Sequence, residues 1–79
     1  MTNAIEEKLI EIFRVVLEVE DDREVQTLRR LNERLWDSLA HTSLIVAIES
    51  EFAIQLDSAD MERMTSFAAT RLLLEEKGL

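Results

Sequence analysis

The sequence predicts an all-α fold, a small four-helix bundle of three longer helices and one short helix with a long first loop. Three observations carry that expectation. With no proline and one glycine in 79 residues, almost nothing in the composition interrupts a helix. Apolar residues recur at helical spacing early, midway and late in the chain. No stretch alternates apolar and polar residues as a half-buried strand would. A chain of this length makes one domain, residues 1–79, near the lower limit at which a core sustains a fold without staples. It has no cysteine, so disulfides and thiolate metal sites are excluded.

The first helix is expected at about residues 3–18. Asn3 stands as an N-cap with Glu6 at N3, and Ile5, Leu9, Ile12, Phe13, Val16 and Leu17 trace the apolar stripe. Glu6, Glu7, Lys8, Glu11 and Arg14 fall mainly on the other side. From Glu18 to Glu33 the chain is polar, and the run Glu20-Asp21-Asp22 breaks the amphipathic pattern. A long loop with one short helical turn near residues 23–31 fits, anchored by Val19, Val25, Leu28 and Leu31. Such a loop delivers Trp36 and Ser38 to the bundle.

The central helix follows at once. Leu44, Ile45, Ile48 and Phe52 line one face of a 3.6-residue repeat, and Ser38 stands where an N-cap belongs. Ala53-Ile54-Gln55-Leu56 reads as a short connector. Asp57, with Asp60 three residues on, begins a short third helix carrying Met61 and Met64. Thr65 or Ser66 caps the last helix, whose core contacts are expected from Phe67, Ala68, Leu72 and Leu74. Lys77 and Gly78 are a conventional C-terminal signal.

Charge and chemistry narrow the function classes. Seventeen acidic against nine basic residues leave a net charge of −8, which argues against nucleic acid and anionic membrane surfaces. The N-terminus lacks a signal-peptide pattern, and no apolar run is long enough to span a bilayer, so a cytoplasmic protein is the default. His41 is the only histidine and has no cysteine to work with; a surface histidine is expected. The methionines read as gap-filling core. The acidic runs 18–22 and 49–51 lack the glycine and alternating ligands of a calcium loop, so they read as solvated surface.

Asp37-Ser38-Leu39, with an apolar helix behind it ending Glu49-Ser50-Glu51-Phe52, in an acidic chain of this length, resembles an acyl carrier protein. The resemblance covers nearly the whole chain. It implies that Ser38 carries a 4′-phosphopantetheine arm, added from coenzyme A by a separate phosphopantetheinyl transferase. The protein would then be a monomeric carrier, not an enzyme. It would present acyl thioesters to loading and transfer enzymes of fatty-acid, polyketide or related biosynthesis. A helix N-terminus suits the anionic phosphodiester, by about 0.3–1 kcal/mol at an exposed site. Read without the resemblance, Ser38 is an ordinary N-cap contributing about 1 kcal/mol.

The resemblance also implies docking residues for partners with basic patches: Asp37, Leu39, Val46, Glu49 and Glu51. The plain readings beside it are that Asp37 complements the helix dipole, Leu39 and Val46 are peripheral core, and the glutamates solvate the helix. An aminoacyl or peptidyl carrier, or a small helical adaptor bearing no arm, are the alternatives. Departures from the family pattern are specific. Glu33-Arg34-Leu35-Trp36 replaces the usual acidic residue, leucine and glycine before the serine. Ala40 and Ser43 stand where acidic residues are frequent, and Thr70 and Arg71 are polar where the last helix is often apolar. These predict a different approach path to Ser38, with Trp36 against the bundle, and an altered interior.

Overall fold

In the computed structural model, which describes residues 4–79, the first apolar stripe winds into α1 (Ala4–Leu17). Four further α-helices follow: α2 (Asp22–Gln26), α3 (Ser38–Phe52), α4 (Ser58–Arg63) and α5 (Phe67–Glu76). One 3₁₀ turn, Arg30–Asn32, interrupts the segment between α2 and α3. The described chain is thus mostly helical and contains no strand, with three helices of ten or more residues and two short ones. The capping arrangement expected at Asn3 lies outside the described residues.

Each helix starts and stops for a local reason. Asp21 caps α2 by accepting from the Arg23 N–H at 2.8 Å. Asp57 and Asp60 form the reciprocal capping box that opens α4, at 2.8 and 3.1 Å. Ser66, not Thr65, caps α5, its Oγ accepting from Ala69 N–H at 2.9 Å. Both α1 and α3 end on a non-glycine residue in the left-handed region, Glu18 at φ 55° and Ala53 at φ 54°. In each case the next N–H reaches back over the last turn, Val19 to the Arg14 carbonyl and Ile54 to the Glu49 carbonyl.

The core is built on α1. Leu9, Phe13 and Leu17 are fully buried, and α1 packs against α2, α3 and α5. Phe13 is the hub, meeting Trp36 edge-on at 5.3 Å and Phe67 edge-on at 5.2 Å between ring centroids. Val25 of α2, Leu44 and Ile48 of α3 and Leu73 and Leu74 of α5 are buried in the same core. The first loop is pinned to the short α4–α5 junction. Arg30 N–H donates to the Thr65 carbonyl at 2.9 Å and Phe67 N–H to the Leu28 carbonyl at 3.0 Å, so the first loop crosses directly over the α4–α5 junction.

Several expectations need correction. Leu31 is 99 % exposed; the 3₁₀ turn points it outward, and the loop is anchored by buried Val25 and Leu28 with Val19 packed partly buried against the core. In α5 the buried face is Phe67, Thr70, Leu73 and Leu74, so Ala68 and Leu72 face outward. Thr70 tolerates full burial because its hydroxyl donates to the Ser66 carbonyl at 2.8 Å. In α1 the buried face also takes in Ile10, which lies beside the expected stripe. The first loop holds a short α-helix, α2, as well as the 3₁₀ turn.

Two ion pairs tie α4 to the end of α5: Lys77 to Asp60 at 2.8 Å and Arg63 to Glu76 at 2.6 Å. The hydrogen bonds from Lys77 and from the Asp57 backbone hold the Asp60 carboxyl below its ordinary value, and Arg63 does the same for Glu76. Lys77 and Arg63 are raised in return, each chiefly by the carboxylate it meets.

Candidate functional site around Ser38

Ser38 is the first residue of α3, not its cap. The cap is Asp37, in extended backbone, whose Oδ1 accepts from the Ala40 N–H at 2.9 Å while its carbonyl accepts from His41 N–H at 2.8 Å. The expectation that Ser38 would cap the helix is therefore corrected by one residue. A carboxylate one position earlier does that work and adds a negative charge where the helix dipole favours one. The consequence for Ser38 is direct. Its hydroxyl is exposed and makes no hydrogen bond among the described residues. Its carbonyl accepts from the Thr42 hydroxyl one turn on, at 3.0 Å.

The approach to Ser38 lacks glycine, and the structure supplies another device. The Glu33 carboxylate accepts from Leu35 N–H at 3.2 Å, and the Glu33 carbonyl accepts from Trp36 N–H at 3.1 Å. A tight turn results, and it drives the Trp36 ring inward, where it is 2 % exposed. The indole N–H donates to His41 Nδ1 at 2.9 Å. An indole can only donate, so Nδ1 accepts and the ring proton sits on Nε2. There it donates to the Met61 carbonyl of α4, at 2.9 Å. The two rings are stacked, with centroids 6.1 Å apart.

His41 is consequently buried, 8 % exposed, and not the surface histidine expected. Reading the sequence missed it because its partners lie 5 residues before and 20 residues after it. The only usable signal was His41 on the same helical side as Leu44, Ile45 and Ile48. With both ring nitrogens committed, His41 has no lone pair or proton to lend to Ser38. It is a rivet joining the turn before Ser38, the first turn of α3, and α4.

The residues expected to dock partners fall in two groups. Leu39 and Val46 are 77 % and 58 % exposed on α3, too open to be peripheral core. Glu49 and Glu51 already have internal partners. Glu49 is half-buried and accepts from Leu56 N–H at 2.8 Å, bracing the connector after α3. Glu51 pairs with Lys8 of α1 at 3.2 Å across exposed surface. Asp37 is occupied as the cap.

Chemically, the arrangement offers one exposed hydroxyl at the head of a 15-residue helix. The N–H groups of Ser38 and Leu39 have no backbone acceptor among the described residues. That fits an anion esterified to the Ser38 oxygen, because free N–H groups and the positive end of the dipole converge there. Among the described residues no group of three or more acidic or histidine side chains is placed to hold a metal ion, and no helix is long and apolar enough to cross a membrane. Compared with models of known protein families and with curated protein sequences, the chain matches none.

Proposed function

We propose that this chain is an acyl carrier protein bearing a 4′-phosphopantetheine arm on Ser38, with α1, α3, α4 and α5 acting as a four-helix carrier bundle and α2 lying in its first loop. One observation carries the reading above the others: the Ser38 hydroxyl is exposed, unbonded and held at a capped helix start. Modification by another enzyme requires such a group, fixed in place yet free to react. The committed nitrogens of His41 support the same view, since a serine with no base beside it is a substrate for a transferase rather than a nucleophile of its own enzyme. The arm supplies what a cysteine-free chain lacks, a thiol on which acyl groups travel as thioesters.

The chain's own residues have separate roles in this reading. Asp37 holds the start of α3, and the free N–H groups of Ser38 and Leu39 face the phosphodiester. Leu39 and Val46 provide apolar contact for the transferase and for acyl-loading and acyl-transfer enzymes. Glu51 exchanges Lys8 for a basic partner residue at little cost, because an exposed pair contributes only about 0–1 kcal/mol. Glu49 does so less readily, because its carboxylate braces Leu56. The net charge of −8 favours partners with basic patches and a monomeric carrier, and a cytoplasmic location belongs to the same proposal.

The test is intact mass after incubation with coenzyme A and a broad-specificity phosphopantetheinyl transferase, with Ser38→Ala alongside. The parent gains one phosphopantetheine unit and the variant gains none. A folded, previously unmodified parent that gains nothing refutes the carrier reading and leaves the unmodified helical adaptor.

A further inference from the structure

A groove with an open volume of about 820 Å³ lies where the first loop crosses the α4–α5 junction. Arg29, Arg30, Leu31, Trp36, Thr65 and Ser66 line it, and no carboxylate does. That is unusual in a chain with 17 acidic and nine basic residues. The ion pairs among the described residues engage Lys8, Arg14, Arg63 and Lys77, and neither Arg29 nor Arg30 is among them. The backbone of both arginines is nonetheless set in place. Arg30 N–H donates to the Thr65 carbonyl, and Arg29 bridges to Ser66. Trp36, buried, immobilised by Phe13 and His41 and two residues before Ser38, also borders the groove. Fully exposed Leu31 provides an apolar lip.

We propose that this groove receives the far end of the carried acyl group, and that Arg29 and Arg30 select acyl groups ending in a carboxylate. The inference rests on Ser38 bearing the arm. Exposed Leu31 contacts the methylene chain, and the two guanidiniums pair with the terminal carboxylate, for which arginine has the matching fork of donors. The same two charges repel the ammonium group of an aminoacyl cargo, so the groove separates carboxylate-ended acyl cargo from the peptidyl-carrier alternative. Acyl groups ending in methyl gain only the apolar contact.

The test loads Ser38 with glutaryl or pentanoyl groups of equal chain length, using the corresponding acyl coenzyme A and a broad-specificity transferase, with loading confirmed by intact mass. Amide and indole NMR shifts and the fluorescence of Trp36, the single tryptophan, report on the groove. The glutaryl form shifts the Arg29, Arg30, Ser66 and Trp36 signals, and the pentanoyl form leaves the arginine signals unmoved. Salt at 0.5 M, or Arg29→Gln with Arg30→Gln, removes the difference, because exposed charge pairs are screened. Equal shifts from both cargoes, or none, overturn the proposal while the carrier reading stands. If Ser38 accepts no acyl arm, the carrier reading fails first. Free glutaryl-pantetheine and pentanoyl-pantetheine then test the groove on the unmodified protein. Saturable binding of the glutaryl compound roughly three- to tenfold tighter supports the selectivity, and equal or absent binding overturns it.

Discussion

The Trp36–His41–Met61 rivet makes the sharpest prediction, because the sequence alone expects a surface histidine. Replacing His41 by leucine keeps apolar volume and removes both ring nitrogens. The Trp36 indole N–H, in a side chain 2 % exposed, is left without an acceptor, and the Met61 carbonyl loses its donor. Leaving a buried polar group unpaired costs about 1–3 kcal/mol. The Met61 carbonyl is only part-buried, so water recovers some of its loss, and the sum is about 2–4 kcal/mol. Against a total of about 4–12 kcal/mol for a domain of this size, that is a severe lesion. At about 4–8 °C per kcal/mol it lowers Tm by roughly 10–30 °C. Urea unfolding of parent, His41→Leu, Trp36→Phe and the double variant measures it. In the Trp36→Phe background no indole N–H remains to be orphaned, so His41→Leu costs at least about 1 kcal/mol less there. A His41→Leu protein within about 0.5 kcal/mol of the parent, as surface substitutions usually are, refutes the bridging geometry.

Three further outcomes follow from the caps and the ion pairs. Asp37→Ala destabilises by about 1 kcal/mol by loss of the Ala40 hydrogen bond, whereas Ser38→Ala changes urea stability by less than about 0.5 kcal/mol. The reverse order would restore Ser38 as the cap. Ala53→Gly raises stability by about 0.5–1 kcal/mol, read as a Tm increase of several degrees, because glycine adopts φ 54° without a Cβ penalty. An acid titration of stability separates the α4–α5 clamp from the rest. Asp60 and Glu76 are lowered from 3.8 and 4.5, so their contribution is full above those values and is lost as pH falls through the lower folded ones. Lys77→Met flattens the Asp60 part of that loss below about pH 4; an unchanged acid limb would show that the Lys77–Asp60 pair does not contribute.

Much of the site could be read without coordinates, but its details could not. Asp37-Ser38-Leu39 before an apolar helix locates the start of α3 to within one residue, since capping is a local contest over a few N–H groups. The contest between Asp37 and Ser38 turns on backbone dihedrals, and Asp37 adopts the extended form. Glu49 illustrates the same limit: an acidic residue on an apolar helix reads as solvated, yet its oxygen meets Leu56 N–H because the left-handed Ala53 folds the connector back.

What the sequence determined by itself was the helical class, the places where most helices begin and end, and the apolar stripe of α1. Each depends on propensity, caps and a 3.6-residue period, all decided within a few neighbours. Tertiary structure decided which face of α5 turned inward, that Leu31 was expelled, that His41 was buried, and that Arg29, Arg30 and Trp36 came to line one groove. Those outcomes depend on which distant groups become neighbours, and on whether a buried polar atom finds its partner there.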